Sequence, residues 1–138
     1  DAIILAYAGL VRGGYGDRAT EVFSPEVFMP APAQGALAVE CRSDDGVARE
    51  AVDKLIDAAA TAESTAERSV LATLEAGCTA PVAASAVFDG QEVALRAGVF
   101  ALDGSRQLVE EGRGADPSEL GRRVARALLE RGAAELMG

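Results

Sequence analysis

Val82-Ala83-Ala84-Ser85-Ala86-Val87-Phe88-Asp89-Gly90-Gln91-Glu92-Val93-Ala94-Leu95-Arg96-Ala97-Gly98-Val99-Phe100 decides the fold class. Val82 to Phe88 is rich in small and β-branched residues. Asp89-Gly90 is a strong hairpin signal between two apolar runs. After the turn, Val93, Leu95, Ala97 and Val99 alternate with Glu92, Ala94, Arg96 and Gly98, the period-two pattern of a strand with one face in a core. Asp103-Gly104 marks a second turn and Gln107 to Gly112 a third strand. The expectation is a three-stranded antiparallel meander.

Helices flank this meander. Asp44 to Ala76 holds no proline and a single glycine, Gly46. It is too long for one ordinary globular helix and is split near Asp57 to Thr61. The first half places Val47, Ala51 and Leu55 on one face. The second places Ala62, Ala66, Val70 and Leu74 on one face at i, i+4 spacing. Gly77 fits the left-handed position after a helix end. Past the meander, Asp116-Pro117-Ser118-Glu119 carries a capping residue, a proline suited to the first helical position and a box-like glutamate. Leu120, Val124 and Leu128 form the apolar stripe of the last helix. The fold class is therefore α+β: a three-stranded antiparallel sheet covered by about three helices.

The leading segment reads differently. Ala2 to Ala6 and Gly35 to Cys41 are short apolar runs with the look of core strands. Tyr7 to Val11 forms a helical turn ended by Gly13 and Gly14. Pro25, Pro30 and Pro32 exclude a helix from Phe23 to Gln34 and suggest an extended crossing or hinge. The chain opens without Met, inside what reads as a buried strand, so it is expected to be the C-terminal part of a larger protein.

Composition limits the partners. A net charge of −9 over 138 residues disfavours nucleic acid and anionic membranes. No apolar run is long enough to span a bilayer and no signal peptide is visible. Two cysteines do not make a disulfide scaffold, and the cytoplasm is the default compartment. With no histidine and no C-x-x-C pair, a metal centre lacks ligands.

Cys78, in Leu74-Glu75-Ala76-Gly77-Cys78-Thr79-Ala80-Pro81, is the one obvious nucleophile. No imidazole can activate it, which removes Cys-His hydrolysis. It follows a helix C-terminus, the negative end of the dipole, which disfavours a low-pKa redox thiolate. A buried structural cysteine and a thiol that reacts once, as an attachment point, both stay open. Cys41 reads as structural at a strand end. Arg12 reads as a solvated residue or as a carboxylate or phosphate clamp at a strand's C-terminal end. Gln34-Gly35 reads as turn chemistry, and Glu67-Arg68 as an exposed intrahelical ion pair. Asp44-Asp45 and Glu110-Glu111 read as caps and solvated strand edges.

Four stretches in order resemble the porphobilinogen deaminase (hydroxymethylbilane synthase) family: Asp1 to Leu10 with Arg12, Pro30 to Ala36 followed by Glu40-Cys41-Arg42, Thr65 to Arg68, and Leu74 to Pro81. Where that family often has Gly-Gly before the cysteine, this chain has Ala76-Gly77. The resemblance implies a transferase of tetrapyrrole (heme and chlorophyll) biosynthesis. Such an enzyme joins four porphobilinogen molecules into hydroxymethylbilane, with release of ammonia. It builds on a dipyrromethane cofactor held as a thioether by the cysteine matching Cys78. The resemblance also implies that Arg12 binds pyrrole acetate and propionate groups, that Gln34-Gly35 lies at the interdomain crossing by the active site, and that Arg68 faces the cleft.

By the same resemblance, residues 1–29 are the tail of domain 2, residues 30–53 the hinge and a return into domain 1, and residues 54–138 domain 3. The first two are partial α/β segments. The catalytic aspartate belongs to an N-terminal part outside this chain. The fragment alone is then inactive, its partners are that N-terminal part and the pyrrole substrates, and the full-length enzyme is a monomer. The competing reading is a non-catalytic α+β interaction or regulatory domain with a structural cysteine.

Overall fold

A computed structural model describes residues 1–77 and 79–137; Cys78 and Gly138 lie outside the described residues. The elements run α1 (Tyr7–Arg12), a 3-10 turn (Gly16–Arg18), α2 (Gly46–Asp53), α3 (Ala58–Thr73), β1 (Val82–Phe88), β2 (Val93–Phe100), β3 (Gln107–Gly114), α4 (Pro117–Glu130) and α5 (Ala133–Met137). The three strands form one antiparallel sheet in the order β1-β2-β3.

The expected alternation sets the sheet's inner face. Val82 pairs with Val99, Ala84 with Ala97 and Ala86 with Leu95; across the other seam Val99 pairs with Leu108. These residues are all buried, together with Ala66, Val70 and Leu74 of the α3 region and Leu120, Val124 and Leu128 of α4. Small side chains let the layers approach closely. At Gly121 in α4, an added Cβ would stand 2.4 Å from the Ala66 carbonyl oxygen and 2.5 Å from the Ser69 Cβ.

Aspartates start the helices. Asp45, Asp57 and Asp116 accept the backbone N–H groups of Ala48, Ala60 and Glu119 at 2.9 Å each, satisfying donors that the first helical turn leaves unpaired. Pro117 sits at the start of α4 as expected. Glu119 does not reach back to close the capping box; its carboxylate turns to Arg122 and Arg126. The break between α2 and α3 falls at Lys54 to Asp57, slightly earlier than the sequence suggests, because Asp57 is the cap.

The leading segment departs from expectation. Residues 2–6 and 35–41 are not strands. Ile3 is 82% exposed, Leu37 81% and Val47 84%, and Cys41 is an exposed free thiol rather than a strand-end structural residue. A strand is stable only where a neighbour takes its backbone hydrogen bonds, and none of the described residues pairs with these runs. No described residue before Ala66 belongs to the buried core. The Val47, Ala51, Leu55 face of the α2 region is likewise solvent-facing, with Leu55 beyond the helix end. Among the described residues no helix is long and apolar enough to cross a membrane.

Candidate functional site

The connection from α3 to β1 is built from both ends. At the end of α3 the Glu75 N–H donates to the Ala72 carbonyl (3.4 Å) and the Ala76 N–H to the Leu71 carbonyl (3.0 Å). Together these bonds form a Schellman motif. Its left-handed residue is Glu75, with φ 52°, and not Gly77, whose φ lies outside that region. The register is set by Ala76, which packs with Leu71 against the core. A glycine at Ala76 is therefore not required. On the β1 side, the Val82 N–H donates to the Ala80 carbonyl at 2.8 Å and the Phe100 N–H to the Pro81 carbonyl at 2.9 Å. Both shoulders of the connection are thus tied down. Cys78, the expected thiol, falls between them and outside the described residues.

β1 is an edge strand, and its outward amides need acceptors. Ala84 N–H donates to the Pro30 carbonyl at 3.0 Å. Ala86 N–H donates to Glu67 Oε1 at 2.7 Å, and Phe88 N–H to Glu63 Oε1 at 2.9 Å. Glu63 and Glu67, one turn apart on α3, therefore cover the free edge of β1 with the proline-rich crossing. The second oxygen of Glu67 accepts the Ala33 N–H at 2.6 Å. Ala33 has φ 58°, a left-handed conformation that costs an alanine on the order of 1–2 kcal/mol. A hydrogen bond to a charged group, worth roughly 1.5–3 kcal/mol, offsets that.

Glu67 and Arg68 do not form the exposed ion pair that the sequence suggests. Glu67 is half-buried and bonded to two backbone segments; Arg68 is exposed and makes no ion pair among the described residues. Burial pushes the Glu67 carboxyl above its usual range, against the lowering effect of the Ala33 and Ala86 amides, with the nearby Glu63 charge adding to the rise. Sequence reasoning missed this role because an E-x-x-x-E spacing on a polar helix face looks the same whether it meets water or a strand edge.

The other expected site residues are distributed around this frame. Arg12 stands exposed in the last turn of α1, ahead of Gly13 and the left-handed Gly14. Gln34 and Gly35 are exposed at the turn that Ala33 opens, closed by Gln34 N–H to Ala31 (3.1 Å) and Ala36 N–H to Ala33 (3.1 Å). Gly35 also lines an open groove of ≈ 390 Å³ with Leu37, Ile56, Ala60 and Ser64. The Gln34-Gly35 turn and α3 are brought together through Glu67.

Among the described residues the buried core lies in the α3 region, the three strands, α4 and α5, and the preceding stretch hydrogen-bonds to this α+β unit without entering that core. Two family models match the chain in succession. Residues 1–50 match "Porphobilinogen deaminase, dipyromethane cofactor binding domain", and residues 61–130 match "Porphobilinogen deaminase, C-terminal domain". The chain belongs to the porphobilinogen deaminase family. It is 58% identical to the porphobilinogen deaminase of Corynebacterium aurimucosum, over 99% of this chain and 47% of that protein. It is 57% identical to that of Corynebacterium glutamicum, over 100% and 47%, and 49% identical to that of Mycobacterium tuberculosis, over 99% and 48%. The chain spans about half the length of the curated relatives it matches.

Proposed function

We propose that this chain is the cofactor-bearing part of an enzyme that joins four porphobilinogen molecules into hydroxymethylbilane with release of ammonia. The observation that carries the reading is the succession of the two matched domains across the chain, with a thiol, Cys78, in the connection whose shoulders the fold holds in place. In this reading Cys78 anchors a dipyrromethane cofactor through a thioether, and the cofactor supplies the pyrrole to which substrate units are joined. The thiol reacts once and is then an anchor, so it needs neither an imidazole nor a depressed pKa.

The donor chemistry fits a group rich in acetate and propionate. Arg12 and Arg68 are exposed guanidinium groups without ion pairs among the described residues, and a guanidinium pairs with carboxylates through two parallel bonds. Gln34 adds an exposed amide and Gly35 leaves room beside it. With a net charge of −9, the chain does not by itself supply the positive charge that such ligands need. The remaining basic residues and the catalytic aspartate are assigned to a preceding part of the whole protein, which would also cover the exposed Ile3, Leu37 and Val47. The domain boundaries follow: residues 1–29 and 30–53 complete two other domains, and residues 54–138 form the third. We place the enzyme in the cytoplasm, as a monomer; the exposed free thiol of Cys41 suits a reducing compartment.

Intact-mass measurement of the whole protein tests the reading. The expected result is a dipyrromethane adduct that colours with Ehrlich's aldehyde reagent and disappears in Cys78→Ser. An unmodified Cys78 in protein that still consumes porphobilinogen would overturn it.

A further inference from the structure

We propose that Glu67 is a positioning residue: its carboxylate fastens the Pro30–Gly35 turn to the outer edge of β1, and so sets where Gln34 and Gly35 stand relative to the α3–β1 connection. Three observations converge on it. One oxygen of Glu67 accepts the Ala33 N–H at 2.6 Å and the other the Ala86 N–H at 2.7 Å. Ala33 holds φ 58°, a conformation in which an alanine persists only where its surroundings impose it. The Pro30 carbonyl accepts the Ala84 N–H at 3.0 Å, so the crossing segment lies along the same edge through a second bond.

The geometry demands a carboxylate. Two N–H donors, from segments far apart in sequence, each need an acceptor from one side chain. An amide has a single acceptor oxygen and would turn its own donors toward the other N–H. Glu63 offers a contrast within the same helix, since among the described residues its carboxylate accepts the Phe88 N–H alone and no N–H of the crossing. The relevance to turnover rests on the function proposed above; the fastening itself does not.

The test measures amide hydrogen exchange in the full chain, wild type against Glu67→Gln, Glu67→Ala and Glu63→Ala. Loss of the Glu67 carboxylate is expected to speed exchange at Ala33 and Ala86 together by about tenfold or more, leaving Phe88 protected. Glu63→Ala is expected to expose Phe88 alone. Unchanged exchange at Ala33 in both Glu67 variants, or an equal rise in Glu63→Ala, overturns the fastening. In the whole protein, Glu67→Ala should raise KM for porphobilinogen several-fold, while Glu63→Ala, with a comparable loss of thermal stability, leaves KM in place. Faster exchange at Ala33 with KM and kcat both unchanged overturns the positioning role. An inactive wild type would instead count against the proposed function and leave the exchange result standing.

Discussion

Gly121→Ala tests the packing on which everything else rests. In an open helix the substitution should stabilise, by about 1 kcal/mol, because alanine is the better helix former. Here the sign should reverse. The new methyl would lie 2.4 Å from the Ala66 carbonyl oxygen and 2.5 Å from the Ser69 Cβ, where carbon contacts settle near 3.5–4.0 Å. A backbone oxygen cannot rotate aside, so α3 and α4 must part by about 1 Å. A gap of that size forfeits roughly a quarter to a half of each contact's attraction, across the interface that Ala66 and Val70 share with Leu120 and Val124. Overpacking commonly costs 1–3 kcal/mol, and the rigid neighbour puts this site near about 3 kcal/mol. Set against the propensity gain, the net loss is about 2 kcal/mol, or a fall in Tm on the order of 10 °C for a domain of this size. Urea unfolding followed by circular dichroism measures it, with an unchanged slope expected. Gly46→Ala, whose Cβ would meet nothing within 4 Å, is the control and should be neutral or mildly stabilising. If Gly121→Ala melts at or above the wild type, the helices do not cross at this distance and the core as described is wrong.

Asp116→Ala removes the acceptor of the Glu119 N–H at 2.9 Å and should cost about 1 kcal/mol in the same unfolding assay. The pH profile of stability should carry a component from Glu67. Its carboxyl is raised in the folded protein above 4.5, so its contribution is fully present below that value and is lost as pH rises through the folded pKa. Glu67→Gln should flatten that stretch of the curve, and an unaltered slope would remove the assignment. Asp89, lowered mainly by the Glu92 and Gln91 amides, works in the opposite sense, losing its contribution as pH falls below 3.8. In the whole protein Arg12→Ala should raise KM for porphobilinogen by roughly tenfold, the worth of a bond to a charged group, with no change in melting because the side chain is exposed; equal KM values would disconnect Arg12 from substrate carboxylates.

The meander was legible because its signal is local: Val93 to Val99 alternate and Asp89-Gly90 turns, and neither needs a distant partner to be recognised. The caps at Asp45 and Asp116 were legible for the same reason, whereas Asp57 was read only as the edge of the break between two helices. The runs at residues 2–6 and 35–41 were not, because an apolar run records only that a side chain prefers burial, whereas a strand also requires a second backbone to bond with. Gly77 misled because glycine is the cheapest left-handed residue, yet the bond from the Ala76 N–H to the Leu71 carbonyl, with Ala76 packed against the core, places that conformation at Glu75. The thiol chemistry of Cys78 could be read from residue type, but its geometry could not.

Glu67 shows where sequence reading could have gone further. A meander has two edges, and an edge strand lined with small residues such as Ala84 and Ala86 has no bulky side chains to shield its amides. Those outward N–H groups, spaced two residues apart, have to find acceptors near at hand. The helix preceding β1 carries two carboxylates one turn apart, a rise close to the spacing of alternate strand residues. Counting unpaired donors on the expected edge would therefore have singled out Glu63 and Glu67 as acceptors rather than surface charge. What that count could not supply is the third donor: only the path of the chain through Pro30 and Ala33 brings the crossing turn to the free oxygen of Glu67, and that path depends on tertiary structure.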